Sequence, residues 1–395
     1  MGGSKRLMEE IEARGASFIG DRYVCAFCLE DSALKAFVRE NVSRYRCDYC
    51  GRRRPSVKAD EVVELIVEGL RTEYEDPNNV MGWDSGEGGW LGVTTDKGDL
   101  VRNFEVTENE ELYEDIVDVI TLDEWCEQDP YGLSTHERLS YGWERFCELV
   151  KYENRFFPTM RRKRERYPDP DEVPPAELLR SLADILPELG LIRHVPIGTR
   201  VIRARTHNPG VVLGTATELG SPPKEQAYMA NRMSSPGIPM FYGSFNRKTA
   251  LAEVDYPASR KAATVATFET VTPFRVVDLS RLPQVPSLFD LDRNYLRRWI
   301  PFIHDFVADI SKPIARDDRV HVEYAPTQYV TAWIQNRMPG RIKGIIYPSS
   351  KVLRGTSCVL FFRNEECRED GEGYPKPKQY LKLLPRSIRR FPARS

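Results

Sequence analysis

The sequence has no uninterrupted apolar run long enough to span a bilayer, and its start, MGGSKRLMEEIEARG, has no apolar h-region of a signal peptide. Arg6 breaks the myristoylation pattern. A soluble, cytoplasmic protein without membrane contact is the expectation. There is also no excess of one charge: 57 Lys and Arg stand against 59 Asp and Glu, for a net charge of −2. Any nucleic-acid contact would therefore have to come from a local patch. No G-x-G-x-x-G follows a strand pattern, which removes support for a Rossmann dinucleotide site. The glycine-rich WDSGEGGW has no Walker lysine and no strand–helix setting, so it reads as a flexible loop.

What is present begins with length. A chain of 395 residues, 41% of them hydrophobic, can bury sizeable cores and predicts two or three domains. Of its eight cysteines, four form two C-x-x-C pairs, Cys25/Cys28 and Cys47/Cys50, separated by an 18-residue spacer. That spacing fits a four-thiolate zinc site in which two tight turns each present two sulfurs, with Gly51 suited to the second turn. A redox motif would need only one pair, and four free thiols would need no spacing. A closed four-cysteine centre of this kind is structural. Arg44, Arg46, Arg52, Arg53, Arg54 and Lys58 crowd one edge. They read either as a phosphate or nucleic-acid contact or, the favoured alternative, as a solvated rim offset by Asp48 and Glu30. An amphipathic helix follows, with Val62, Val63, Leu65, Ile66 and Leu70 on its stripe.

The expected organisation is a zinc module with a helix over 1–75, a helical, acidic region over 76–190, a chemical domain over 191–363 and a basic tail over 364–395. Leu139, Trp143, Phe146 and Val150 make one helical stripe within His136–Phe157. The segment 160–175 shifts from basic to Pro/Asp-rich and is the linker candidate. A helix from Pro175 carries Leu178, Leu179, Leu182, Ile185 and Leu186. The tail, 364–395, reads as a solvated terminus, with packing back on the domain or binding of an anionic partner as the alternatives.

In the chemical domain, Arg200–His207 alternates as a strand that sets Arg203 and Arg205 on one face and Ile202 and Ala204 on the other. Two guanidiniums on one face suit a pyrophosphate clamp or, equally, a solvated surface strand. Met240–Phe245 reads as a buried strand, with Asn246 capping a helix that begins at Arg247. On that helix Ala250, Glu253 and Val254 share a face, so Glu253 needs either a structural partner or a chemical role. Strands are expected at Ala263–Val271, Phe274–Asp278, Gly344–Tyr347 and Cys358–Arg363, and helices at Tyr295–Ile310 and Thr327–Asn336. Many strands with few crossover helices predict an α+β fold with a mixed sheet.

The run N-R-M-S-S-P-G-I-P-M-F-Y-G followed by T-A-L-A-E resembles the central signature of RES domains, and V-C-A-F-C-L-E-D with C-D-Y-C-G resembles the HEPN/RES N-terminal region that accompanies some of them. The resemblance implies an ADP-ribosyltransferase-like fold acting on NAD+. It puts the family's arginines at Arg203 and Arg232, its tyrosine at Tyr242, its glutamate at Glu253 and its serine at Ser349, with P-T-Q-Y (326–329) matching a Thr-Gln helix start. Glu253, Tyr242, Arg232 and Ser349 are the implied catalytic set. Arg203, Arg205, Arg232, Tyr242 and Ser349 are the implied NAD+-binding set. The implied reaction is cleavage of the nicotinamide–ribose bond, with water, phosphate or a protein side chain as acceptor, in a toxin–antitoxin or phage-defence setting. The competing reading is a non-catalytic regulatory protein whose zinc module and helical region recognise nucleic acid or a partner while the RES-like fold is silent. The HEPN ribonuclease pairing of Arg and His four to six residues apart is missing around His136, the helical region's histidine. The pairs Arg200/His207, Arg298/His304 and Arg316/His321 lie in the C-terminal half. The implied partners are an antitoxin or regulatory protein and a second copy of the chain, with nucleic acid the least favoured.

Overall fold

The computed structural model describes all but residues 1, 87, 161–170, 260, 313–318, 372, 374–376 and 394–395. Arg316 and most of the expected 160–175 linker lie outside the described residues. The chain divides into two compact units, Met1–His136 with Gln284–Pro301, and Glu137–Pro283 with Phe302–Ser395. Among the described residues no helix is long and apolar enough to cross a membrane.

In the first unit the two cysteine turns are tied by an antiparallel pair, Tyr23–Cys25 with Ser56–Lys58. A helix over Ser32–Glu40 starts where the Asp31 carboxylate accepts the backbone N–H groups of Ala33 and Leu34, satisfying two orphan donors of its first turn. The helix Ala59–Leu70 buries Val62, Val63, Ile66, Val67 and Leu70 in one core, as its spacing predicts, while Leu65 packs on the margin. Leu288 and Phe289 complete that core. Asn294 Nδ2 donates to Thr72 Oγ1 at 3.2 Å, and Arg297 Nε pairs with Glu73 at 2.6 Å. The segment between Glu253 and Ser349 thus supplies a piece of the first unit, Gln284–Pro301. Short strands at Tyr74–Glu75, Thr95–Asp96 and Glu124–Glu127 pair at the start of and within the region expected to be helical. Two-residue and four-residue strands carry too little alternation to show in a sequence pattern.

The second unit is built on a nine-stranded sheet. In chain order its strands are β1 (Ile192–Val195), β2 (Arg200–His207), β3 (Phe241–Ser244), β4 (Ala262–Thr270), β5 (Phe274–Asp278), β6 (Ile342–Pro348), β7 (Thr356–Leu360), β8 (Cys367–Arg368) and β9 (Leu381–Phe391). The spatial order is β8-β9-β4-β2-β3-β7-β6-β5-β1. The β5–β6 and β8–β9 pairs are parallel and the others antiparallel, so the sheet is mixed and the fold α+β. The helices that matter for the site are α1 (Arg247–Glu253), α2 (Ile300–Ser311) and α3 (Ala325–Arg337). Elsewhere in the unit a helix over Pro175–Glu188 buries the five apolar residues its stripe predicts.

The sheet is apolar on both faces. Val201, Phe241, Ala266, Phe268, Cys358 and Leu360 share one core. On the opposite face Ile202, Ala204 and Val265 pack against Ala250 and Leu251 of α1 and Val254 just after it. Gly243 is required where β3 crosses β2, because a Cβ there would stand 2.5 Å from Val201 Cγ1 and 3.2 Å from the Ile202 carbonyl.

Two expectations need correction. The tail is no solvated terminus: Leu381–Phe391 pairs along β4, with Leu381 and Leu383 fully buried. Its basic residues conceal an apolar alternation, and an irregularity opposite Val265 and Thr267 takes up Pro385, which has no ladder N–H to give. The helix expected over Tyr295–Ile310 is instead a 3-10 turn at Asn294–Arg298 followed by α2, whose second residue is Pro301.

Candidate active site and metal centre

The cross-strand register sorts the predicted residues by face. Ser357 on β7 lies opposite both Ser244 on β3 and Tyr347 on β6, and Tyr242, two residues before Ser244, shares its face. This is the face that α1 covers. Asn246 caps α1 through the backbone N–H of Thr249 at 2.8 Å, and the helix ends with Glu253 half-buried beside the sheet. The Ser349 and Ser357 hydroxyls donate to the same oxygen, Glu253 Oε1, at 2.7 and 3.0 Å. The Ser244 hydroxyl sits 3.1 Å from that of Ser357, which extends the chain into the core. The second carboxylate oxygen, Oε2, takes neither of these hydroxyls. A half-buried carboxylate with no ion pair among the described residues is thus held by hydroxyl dipoles.

Arg203 and Arg205 alternate onto the other face. The ladder between β2 and β3 is one pair, Ile202 with Ser244, whereas β2 pairs with β4 over its whole length. Beyond that pair the Arg203 guanidinium reaches across to the Tyr242 carbonyl at 2.8 Å and lies over the Phe241 ring at 5.2 Å. Its Nε is buried with no partner among the described residues. Burial, with Arg205 alongside, pushes Arg203 down to about 10, which leaves it cationic at neutral pH. Arg205 donates to the Glu218 carbonyl.

The Asn231–Ser235 loop is fixed from α3. The Thr327 hydroxyl donates to the Arg232 carbonyl at 2.8 Å, and Gln328 Nε2 donates to the carbonyls of Asn231 and Ser234 at 2.8 and 3.2 Å. Gln328 Oε1 accepts from Ser235 Oγ at 3.0 Å. The P-T-Q-Y start therefore holds the R-M-S loop by its backbone. Ser234 in turn accepts the Tyr242 hydroxyl at 2.9 Å. Burial pushes Tyr242 up to about 12, so it stays a neutral donor. The same cause holds Tyr347 well above the ordinary tyrosine range, with Glu253 adding to it. Arg232 donates to the carbonyls of Ile310 and Lys312, both at 2.5 Å, which satisfies the C-terminal end of α2.

Arg203, Arg205, Arg232, Tyr242 and Glu253 all line one cavity of about 970 Å³, at the upper end of the range for small-molecule sites. Ser349 is not part of its wall; Pro348 and Ser350 on either side are, as is Ser357. The sequence reading missed Ser244 and Ser357. Ser357 shows only as an apolar-strand serine, and its role follows from the β3–β7–β6 register, which no local motif encodes.

In the first unit the sulfurs of Cys25, Cys28, Cys47 and Cys50 lie within 4.8 Å of one another. The Cys25–Cys28, Cys25–Cys50 and Cys28–Cys47 separations are 3.8, 3.7 and 3.7 Å. A tetrahedron with metal–sulfur bonds of about 2.3 Å has edges of roughly 3.8 Å, so this donor set fits a metal ion. Gly51 has φ +66°, the left-handed turn expected after Cys50.

Comparison with protein-family models matches residues 40–164 to HEPN/RES N-terminal domain 1 and residues 200–381 to the RES domain. The first match begins between the two cysteine pairs, and the second runs past the expected end at 363 to the start of β9. Comparison with curated proteins finds no match. With Arg203, Arg232, Tyr242 and Glu253 around one cavity and both matches in the expected order, the chain belongs to the RES-domain proteins that carry a HEPN/RES N-terminal domain.

Proposed function

We propose that the second unit is an NAD+-consuming enzyme that cleaves the bond between nicotinamide and ribose. The observation that carries this is Glu253, a half-buried carboxylate on the cavity wall with Oε1 held by Ser349 and Ser357. Cleavage builds positive charge at the anomeric carbon, as in glycoside hydrolysis. A carboxylate fixed before the reaction stabilises that charge without reorganising. Nicotinamide leaves as a neutral base and carries the bonding pair, so no strong general acid is needed. With water as acceptor the products are nicotinamide, ADP-ribose and a proton.

The other residues take parts that suit the dinucleotide. Arg203, with its unpartnered Nε, and Arg205 offer guanidinium donors to the pyrophosphate. Tyr242 offers an aromatic face to the nicotinamide or ribose while its hydroxyl holds Ser234. Arg232 has a structural task at the end of α2, and in this reading its charge reaches the substrate while its N–H groups remain on the carbonyls. Ser349 works through Glu253. Zinc is the metal we assign to the four cysteines, in a structural role. Loss of NAD+ would harm the cell that makes the enzyme, which fits a toxin restrained by a partner.

Purified protein incubated with NAD+, with and without inorganic phosphate, tests the reading. Nicotinamide release is expected in both cases. ADP-ribose would identify a hydrolase, its 1-phosphate a phosphorylase, and label carried onto protein a transferase. Intact NAD+ in every arm would refute the proposal.

A further inference from the structure

The arginines around the second cysteine turn were expected to be a solvated rim neutralised by Asp48 and Glu30. The structure gives those carboxylates other work. Asp48 accepts the Tyr23 backbone N–H at 2.8 Å and lies 3.5 Å from Arg44, and Glu30 pairs with Lys35 at 2.9 Å. Among the described residues no ion pair engages Arg46, Arg52, Arg53 or Lys58, and all four are exposed.

The backbone gathers these groups. The turn is a small hairpin: Cys47 N–H donates to the Arg52 carbonyl at 3.1 Å, and Arg44 and Ser56 exchange N–H donors at 3.1 and 2.8 Å. Arg44 and Arg46 therefore stand on one arm and Arg52, Arg53 and Arg54 on the other. Residues 41–58 hold six cations and one carboxylate. A doubly negative metal–thiolate centre beneath them would leave the patch positive. Two aromatics near these cations, Phe27 in space and Tyr45 in the chain, are exposed. Phe27, at the tip of the first cysteine turn, is 69% exposed, and Tyr45 is 64% exposed. The Arg54 guanidinium lies 3.8 Å from the Phe27 ring centroid, already stacked as it would be beside a base.

We propose that this cysteine-turn surface binds single-stranded polynucleotide, with Arg46, Arg52 and Arg53 on phosphates and Phe27 and Tyr45 stacking on bases. Five of the six cations are arginine, the residue whose planar fork pairs with phosphate oxygens and stacks on rings. Exposed aromatics interleaved with guanidiniums are what an unpaired base requires. An acidic protein would use the charges and leave the exposed rings without a task. RNA and DNA share the chemistry.

The full-length protein is titrated, by fluorescence anisotropy, into labelled mixed-sequence single-stranded RNA and DNA of about 20 nucleotides and into polyglutamate, at several salt concentrations from about 50 mM. Binding to one or both oligonucleotides is expected, with polyglutamate at least tenfold weaker. The comparison of RNA with DNA identifies which source is preferred. The triple variant Arg46→Ala, Arg52→Ala, Arg53→Ala should weaken binding at least tenfold and flatten the log–log salt slope by roughly 2, at about 0.7 per phosphate contact. Phe27→Ala should weaken oligonucleotide binding at least fivefold and leave the salt slope alone, a split that misfolding would not give. Metal content and circular dichroism of both variants should match the parent, since the substituted side chains are exposed. No oligonucleotide binding would overturn the proposal. So would polyglutamate bound as tightly as RNA, or binding that survives the triple variant.

Discussion

Ser357 donates a 3.0 Å hydrogen bond to Glu253 from a strand 104 residues further along the chain, and Ser349 donates to the same oxygen at 2.7 Å. The carboxylate is therefore aimed by two strands, β6 ending in Ser349's turn and β7 beginning beside it. Removing one hydroxyl should let Glu253 swing. Ser357→Ala is expected to lower kcat for NAD+ roughly tenfold or more with KM within about twofold, since a 1 Å misplacement can cost up to 10²-fold. Restoration by Ser357→Thr would support a positioning role. Equal losses in kcat and folded fraction would instead mark a purely structural serine.

The Asn231–Ser235 loop hangs on Gln328 by three hydrogen bonds. Gln328→Ala leaves two backbone carbonyls to find other donors, at about 1 kcal/mol each. The expected outcome is a KM for NAD+ raised several-fold, with a urea midpoint only slightly lowered. An unchanged KM would mean that the loop does not shape the substrate site.

Tyr242 gives the alkaline signature. Its hydroxyl is pushed up to about 12 by burial, against about 10 for an exposed tyrosine. The folded chain then keeps a proton that the unfolded chain has released. The stability this contributes is complete below about pH 10 and is lost between about pH 10 and 12. Urea midpoints of the parent and Tyr242→Phe should differ by a constant amount up to that window. Through it the parent should lose ground, and parallel curves would contradict the burial argument.

The four cysteines predict about one zinc per chain. Cys47→Ser, or prolonged chelation, should destabilise the first unit selectively. Hydrogen exchange checks this: amides of Ala59–Leu70 should lose protection while those of β4 keep it. Equal protection with and without metal would argue against a structural centre.

Much of this was legible in the sequence because the signals are local. The cysteine spacing, the Asn246 cap, the Pro175 helix and the β2 alternation each lie within one short run of the chain. What stayed hidden depends on distant pairing. Ser357 meets Glu253, and Ser244 meets Ser357, only because β3, β7 and β6 align in register. Leu381–Phe391 counts as a strand only once β4 offers it an edge. The role of Arg232 at the end of α2 needs residues 78 and 80 positions away. Motif reading found the charged residues and Ser349, and missed Ser244, Ser357 and the carbonyls that the arginines hold.

The account turns on Glu253, and the direct test is nicotinamide release by Glu253→Gln. This substitution keeps the shape and an oxygen for the two serines while removing the negative charge. A loss of roughly 10²–10³-fold in kcat is predicted, the scale of removing one preorganised stabilising group, with the urea midpoint preserved. Release at the parental rate would contradict the account.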